Sequence, residues 1–208
     1  MLPIETIITF FTASVLLALA PGPDNVFVLT QSALHGRTAG LVVMLGLCTG
    51  LIVHSAACAV GVAAIFQTST AAFSALKFLG AGYLLYLAWQ AFRVKATNMS
   101  PGPNSKVDRG KLYRRGIIMN VTNPKVSIFF LAFLPQFADP ARGPVTVQIM
   151  LLGGLFILAT IFVFGGVALS AGTLRQLFSR SNRVQIALNR MAGVVFVGLA
   201  LKLATTER

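Results

Sequence analysis

An all-α polytopic membrane protein of six spans is predicted by three observations. The 208-residue chain is 56% hydrophobic with a mean hydropathy of +0.80, more apolar than ordinary soluble domains. Six apolar runs, each long enough to cross a bilayer, recur along it. The first and fourth runs are interrupted by proline beside a charged residue, at corresponding places in the two halves of the chain, the pattern that marks discontinuous helices in transporters.

The first run, Ile4 to Leu34, contains Pro21-Gly22-Pro23-Asp24-Asn25. Two prolines and a glycine remove backbone donors and break the helix, which hydrocarbon tolerates only where the freed groups face protein or a water-filled cavity. Pro23 suits the first position of a new half-helix, with Asp24 and Asn25 in its first turn at the positive end of the dipole. The second run, Ala39 to Phe66, places Gly46, Gly50 and His54 at four-residue steps on one face, a small-residue surface for close helix packing. His54 has two readings: a proton relay, or a neutral packing histidine satisfied by one hydrogen bond. Cys48 and Cys58 are ten residues apart, roughly 15 Å along one helix. They are too far apart to bridge and read as packing residues, so no disulfide framework or cysteine metal site follows.

The third run, Ala71 to Phe92, ends in Tyr83, Tyr86 and Trp89, placed as an interfacial aromatic belt. Residues 93–115, with Pro101-Gly102-Pro103-Asn104-Ser105 at the centre, form a polar linker. The fourth run, Gly116 to Phe137, is broken at Asn123-Pro124-Lys125, where Asn123 can cap a half-helix that Pro124 begins. Val145 to Ala171 and Val184 to Leu203 complete the six. The expected organisation is a first three-helix repeat at 1–92, the linker at 93–115 and a second repeat at 116–208. An odd number of crossings per half makes the repeats inverted.

The charge balance, 17 Lys+Arg against 5 Asp+Glu and net +12, is a topology signal in such a chain, and no nucleic-acid partner is expected. Twelve basic residues fall in the first, third and fifth connections, Arg93 to Arg115 above all, against four on the other side. Both termini are therefore expected outside and the linker in the cytoplasm. Glu5 and the absence of Lys or Arg before the first run give no basic signal region, so the first helix is expected to be retained. His35 falls in the first cytoplasmic turn and reads as solvated. No phosphate-cradling loop, metal-ligand cluster or nucleophile with an adjacent base is visible, so neither a cofactor nor an enzymatic reaction is expected.

Lys125 would sit near the midplane, where insertion scales charge about 2.5–3.5 kcal/mol for a lone cation, and next to the positive start of its own half-helix. It needs an anion. Asp24 is the one carboxylate at similar depth, so an Asp24 to Lys125 pair between the two breaks is expected, the alternative being a lysine that snorkels to an interface or cavity water. Pro21, Gly22, Pro23, Asp24, Asn25, Asn123, Pro124 and Lys125 are the candidate substrate-binding residues, and Asp24 and His54 the candidates for proton coupling.

The ordered motifs resemble a known family. Pro21-Gly22-Pro23 with Asn25, His35-Gly36-Arg37-x2-Gly40, Gly46-x3-Gly50-x3-His54, Leu76-Lys77-x2-Gly80-Ala81-x-Tyr83-Leu84, and Asn120-x-Thr122-Asn123-Pro124-Lys125-x3-Phe129-Phe130-x4-Pro135-Gln136-Phe137 are similar to the LysE/Rht amino-acid exporters over nearly the whole chain. The resemblance is nearest to the homoserine, homoserine-lactone and threonine branch. It implies an inner-membrane secondary transporter of inverted-repeat type that expels a small amino acid, driven by the proton motive force. The implied partners are the amino acid, protons and the lipid bilayer, and a homodimer is left open. Two other classes stand beside this reading. One is an accessory subunit with no transport of its own. The other is an intramembrane electron carrier of a related six-helix fold, which would use cysteines in its broken helices; this chain has none there.

Overall fold

A computed structural model describes residues 2–20, 22–68 and 108–170, with scattered positions between 75 and 93 and between 186 and 205. The expected third and sixth spans and most of the linker therefore lie outside the described residues, as does Pro21. The described secondary structure is helical throughout, as expected for an all-α protein.

Helix α1 (Ile4–Leu19) ends where Pro21 supplies no N–H to continue it. Helix α2 (Pro23–His35) begins with proline at its first position and Asp24 in its first turn. It stops at Gly36, whose φ of 83° suits a residue without a β-carbon. Helix α3 (Arg37–Thr68) follows at once. Helix α4 (Arg109–Val121) is capped by Asp108, whose side chain accepts from the Lys111 amide at 3.2 Å. That hydrogen bond is the main reason the Asp108 carboxyl is held below its usual range. After the second break, α5 (Pro124–Ile128) runs into a π-helical turn at Phe129–Phe133 and a 3-10 turn at Leu134–Phe137. A further 3-10 turn, Pro140–Arg142, leads into α6 (Val145–Leu169).

The α1–α2 pair is bent by 61° and the α4-to-137 pair by 48°. The stretch Arg37–Gly61 of α3 and the whole of α6 are long and apolar enough to cross a bilayer. With each bent pair taken as one broken span, the described residues hold up to four. Large apolar side chains such as Val60 and Phe162 are exposed on the outside, a placement that lipid favours and water does not.

Helix α3 is the centre of the bundle, packed on α2, α4 and α6. The glycine face read from the sequence seats α4: a β-carbon at Gly116 would lie 2.7 Å from the Val43 carbonyl oxygen and 3.2 Å from Gly46 Cα. One at Gly50 would lie 2.6 Å from Asn120 Oδ1. On another side α3 runs antiparallel to α6, with Gly40 against Ala168 and Ser55 against Gly153. Cys58 is fully buried, as a packing residue should be, and its thiol also donates to the Phe130 carbonyl at 3.0 Å. That carbonyl lies where the chain leaves α-helical geometry, so the thiol meets an acceptor that the change of winding releases.

Candidate functional site

The two breaks meet inside the bundle, and each can be followed bond by bond. At the end of α1, Ala20 N donates to Leu16 O. Leu17 O has no helical donor, because the residue four positions on is Pro21. Two side chains serve the freed carbonyls of this last turn: Asn25 Nδ2 donates to Ala18 O at 2.6 Å, and Lys125 Nζ donates to Leu17 O at 3.1 Å and Ala20 O at 2.9 Å. Gly22 makes the lysine's approach possible, since a β-carbon there would come to 3.2 Å from Nζ and 3.6 Å from Cε.

Lys125 is 7% exposed, and it neither snorkels to an interface nor hydrogen-bonds to Asp24. The expected pair is thus replaced by a contact between the cation and the carbonyl end of α1. The physical reason is that the last turn of a helix carries the negative end of its dipole together with unpaired acceptors. Lys125 leaves the positive start of its own half-helix for the negative end of the other.

Asp24 is 3% exposed in the first turn of α2, where the helix start favours a negative charge. Its Oδ2 accepts from Asn120 Nδ2 at 3.2 Å, and its Oδ1 has no hydrogen-bond partner. Lys125, Asn123, Asn120 and His54 are the polar groups around it. Asn123 caps α5, its Oδ1 accepting from the Lys125 amide at 3.0 Å, and its Nδ2 is left without a partner. Pro23 and Pro124 start their helices with exposed rings, and Pro21 lies outside the described residues.

His54 is half-buried. Its Nε2 lies 3.2 Å from Asn120 O and its ring 5.6 Å from that of Phe130. A carbonyl only accepts, so Nε2 carries a proton in this arrangement. The histidine is therefore joined to Asp24 through Asn120 and not directly. Asn120, 2% exposed, stood in the sequence only as part of the family motif and not as a candidate site residue. An amide one turn before a proline break in an apolar span was the available signal.

Asp24, Asn120 and Lys125 share a cavity of about 20 Å³ with Leu17, Ala18, Val126, Phe156, Thr160 and Phe164. That is space for about one water molecule and none for an amino acid. The site is closed, with hydrogen bonds to one oxygen of the anion and from two of the three N–H groups of the cation.

Broken helices that bring a buried carboxylate and a buried ammonium together beneath an apolar exterior define a membrane translocator. Residues 15–207 match the LysE type translocators, and the chain belongs to that family. It is 32% identical over 198 residues to a homoserine/homoserine lactone efflux protein of Salmonella typhimurium, covering 95% of each chain. It is 30% identical over 201 residues to a membrane protein of Vibrio cholerae, covering 96% of this chain and 97% of that one. No solved structure matches.

Proposed function

We propose that the protein is a secondary transporter exporting a small amino acid, homoserine or threonine in kind, across the bacterial inner membrane by proton antiport. In this reading the chain has six spans in two inverted three-helix repeats, both termini outside and residues 93–115 in the cytoplasm. The antiparallel course of α3 and α6 and the matching position of the two breaks support the repeat.

The observation that carries the proposal is the double hydrogen bond from Lys125 Nζ to Leu17 O and Ala20 O, beside an Asp24 oxygen with no partner. In the empty protein the lysine fills the place that a substrate ammonium would take. An entering zwitterion offers its carboxylate to Lys125 and its own ammonium to the vacated carbonyls and to Asp24 Oδ1, so no charge is left unpaired during the exchange. Protonation of Asp24 from outside then weakens the hold on the ammonium and favours release. Asn120 keeps the carboxylate turned toward the cavity.

The test uses purified protein in liposomes and the two compounds named for the Salmonella relative. Homoserine has a free carboxylate and its lactone does not. Lys125→Met should lower homoserine flux far more than lactone flux. Equal losses for both would remove the carboxylate-holding role, and no flux of any amino acid through the unaltered protein would remove the export reading.

A further inference from the structure

A second, much larger cavity opens at the end of the bundle where α1 begins. It measures about 440 Å³, within the range of small-molecule sites. Glu5, Thr6 and Thr9 of α1 form one wall, and Gln136, Asp139 and Arg142 stand on the other.

Its polar groups are not all satisfied. Arg142 Nε donates to Asp139 Oδ2 at 3.0 Å, which fixes the guanidinium and neutralises that carboxylate. Glu5 is exposed and makes no hydrogen bond or ion pair among the described residues, so its carboxylate is open to a ligand. Gln136 Nε2 reaches Ala132 O at 3.5 Å, while its Oε1 is buried without a partner, an arrangement that costs free energy until a donor arrives. The cavity thus holds an exposed carboxylate with no partner among the described residues, a wall glutamine whose buried amide oxygen lacks a donor, and a guanidinium oriented by Asp139. A primary ammonium with an anionic group a few bonds away matches this set, and an amino acid has that form.

Between this cavity and the small one lies a continuous stack of rings. Phe133 and Phe137 line the large cavity and Phe156 the small one. Phe133 and Phe137 are 5.0 Å apart, Phe133 and Phe129 4.8 Å, Phe129 and Phe156 5.2 Å, and Phe10 closes the side at 5.2 Å from Phe137 and 5.9 Å from Phe129. Phe10, Phe129 and Phe133 are at most 2% exposed. Phe129 and Phe133 sit on the π-helical turn and Phe137 on the 3-10 turn, windings that shift register more readily than an α-helix and gather at functional sites.

We infer that the large cavity is a second binding station for the exported amino acid, occupied after it passes the aromatic stack, with the ammonium on Glu5 and Gln136 Oε1 and the carboxylate toward Arg142. The inference rests on the amino-acid-export reading above. A phosphatidylethanolamine headgroup carries a similar ammonium and anion, so the test separates the two sources.

The reporter is full-length protein carrying Thr9→Cys labelled with an environment-sensitive fluorophore; Cys48 and Cys58, 8% and 0% exposed, are shielded from the reagent. Homoserine, threonine and leucine are titrated against ethanolamine and phosphoethanolamine. A saturable response to one or more amino acids, absent with ethanolamine, is expected. Loss of one charge-assisted hydrogen bond in Glu5→Gln or Gln136→Leu should move it about tenfold to higher concentration. In liposomes the same variants should raise the half-saturation concentration about tenfold at the face where α1 begins and less than about twofold at the other. Saturation by phosphoethanolamine alone, no saturable response, or equal shifts at both faces would overturn the station. Flux without a fluorescence response sinks the station and keeps export. A fluorescence response without flux sinks export and keeps a site that binds amino acids.

Discussion

The two breaks look alike in sequence, each a proline beside a charge in an apolar span, yet they treat their charges differently. The cation of the second break is held mainly by backbone: two of the three Lys125 N–H groups donate to Leu17 O and Ala20 O. The anion of the first has one hydrogen bond, from Asn120 to one oxygen, while Asn123 and Lys125 stand near it without a hydrogen bond to the other. A buried carboxylate oxygen without a donor is costly, so it marks the point where the closed site is ready to accept something, whereas Lys125 must first be released. The first break is therefore the receptive one and the second the locking one.

The largest test of that contrast is Lys125→Met. It leaves two carbonyls without their donor and removes the cation, so homoserine flux in liposomes is expected to fall at least about thirtyfold, or ~2 kcal/mol. A loss of less than about threefold would mean the lock is dispensable. Next comes the seat of the second break. Gly50→Leu forces a side chain into Asn120 and should destabilise the fold by about 1–3 kcal/mol, seen as a lower thermal midpoint in detergent. Gly61→Leu, with nothing within 4 Å of its β position, should leave that midpoint unchanged.

Asp24→Asn keeps the shape of the first break and removes its proposed proton site. Flux driven by a pH gradient is expected to fall about tenfold while homoserine exchange without a gradient changes less than threefold, a loss near 1.4 kcal/mol confined to coupling. Unchanged pH-driven flux would move the proton site elsewhere, His54 being the next candidate. The smallest effect is expected from Arg115→Ala. Arg115 lies 4.9 Å above the Phe27 ring and ties α4 to α2 at the end away from the large cavity. Removing it should cost about 0.5–1 kcal/mol and raise the exchange rate slightly if that contact helps hold the far side shut. A lower exchange rate would give the contact a different role.

Both breaks, their half-helix starts and the glycine face were legible in the sequence, because proline, glycine and asparagine act through local backbone chemistry. The partner of Lys125 was not. Sequence reasoning looks for a carboxylate to match a lysine, but the acceptors here are main-chain oxygens of Leu17 and Ala20, whose side chains carry no sign of the role. They become acceptors only when Pro21 withholds an N–H from Leu17, the helix ends before Ala20, and the second broken helix crosses at that height. Asn120 escaped for a similar reason: its importance comes from facing Asp24 across 96 positions of chain. The stacking of Phe10, Phe129, Phe133 and Phe137 depends on a π-helical register that composition does not reveal. Proline at 135 marks a disturbance without fixing which way the rings turn.

The seating of α3 has a mechanical consequence. It belongs to the first half of the chain but is packed against α4 of the second with no room for a methyl group at Gly46, Gly50 or Gly116. It also meets α6 with as little clearance where Ser55 faces Gly153, and a β-carbon at Gly40 would lie 3.1 Å from Ala168. Two halves joined this way cannot rock against each other as separate rigid bodies without pulling apart close-packed backbones. Alternating exposure of the site would instead come from bending at the two breaks and rewinding of the 129–137 segment, about a frame that stays still. In engineering terms the protein is a fixed post with two jointed arms, and the distance its cargo travels is set by how far those joints open.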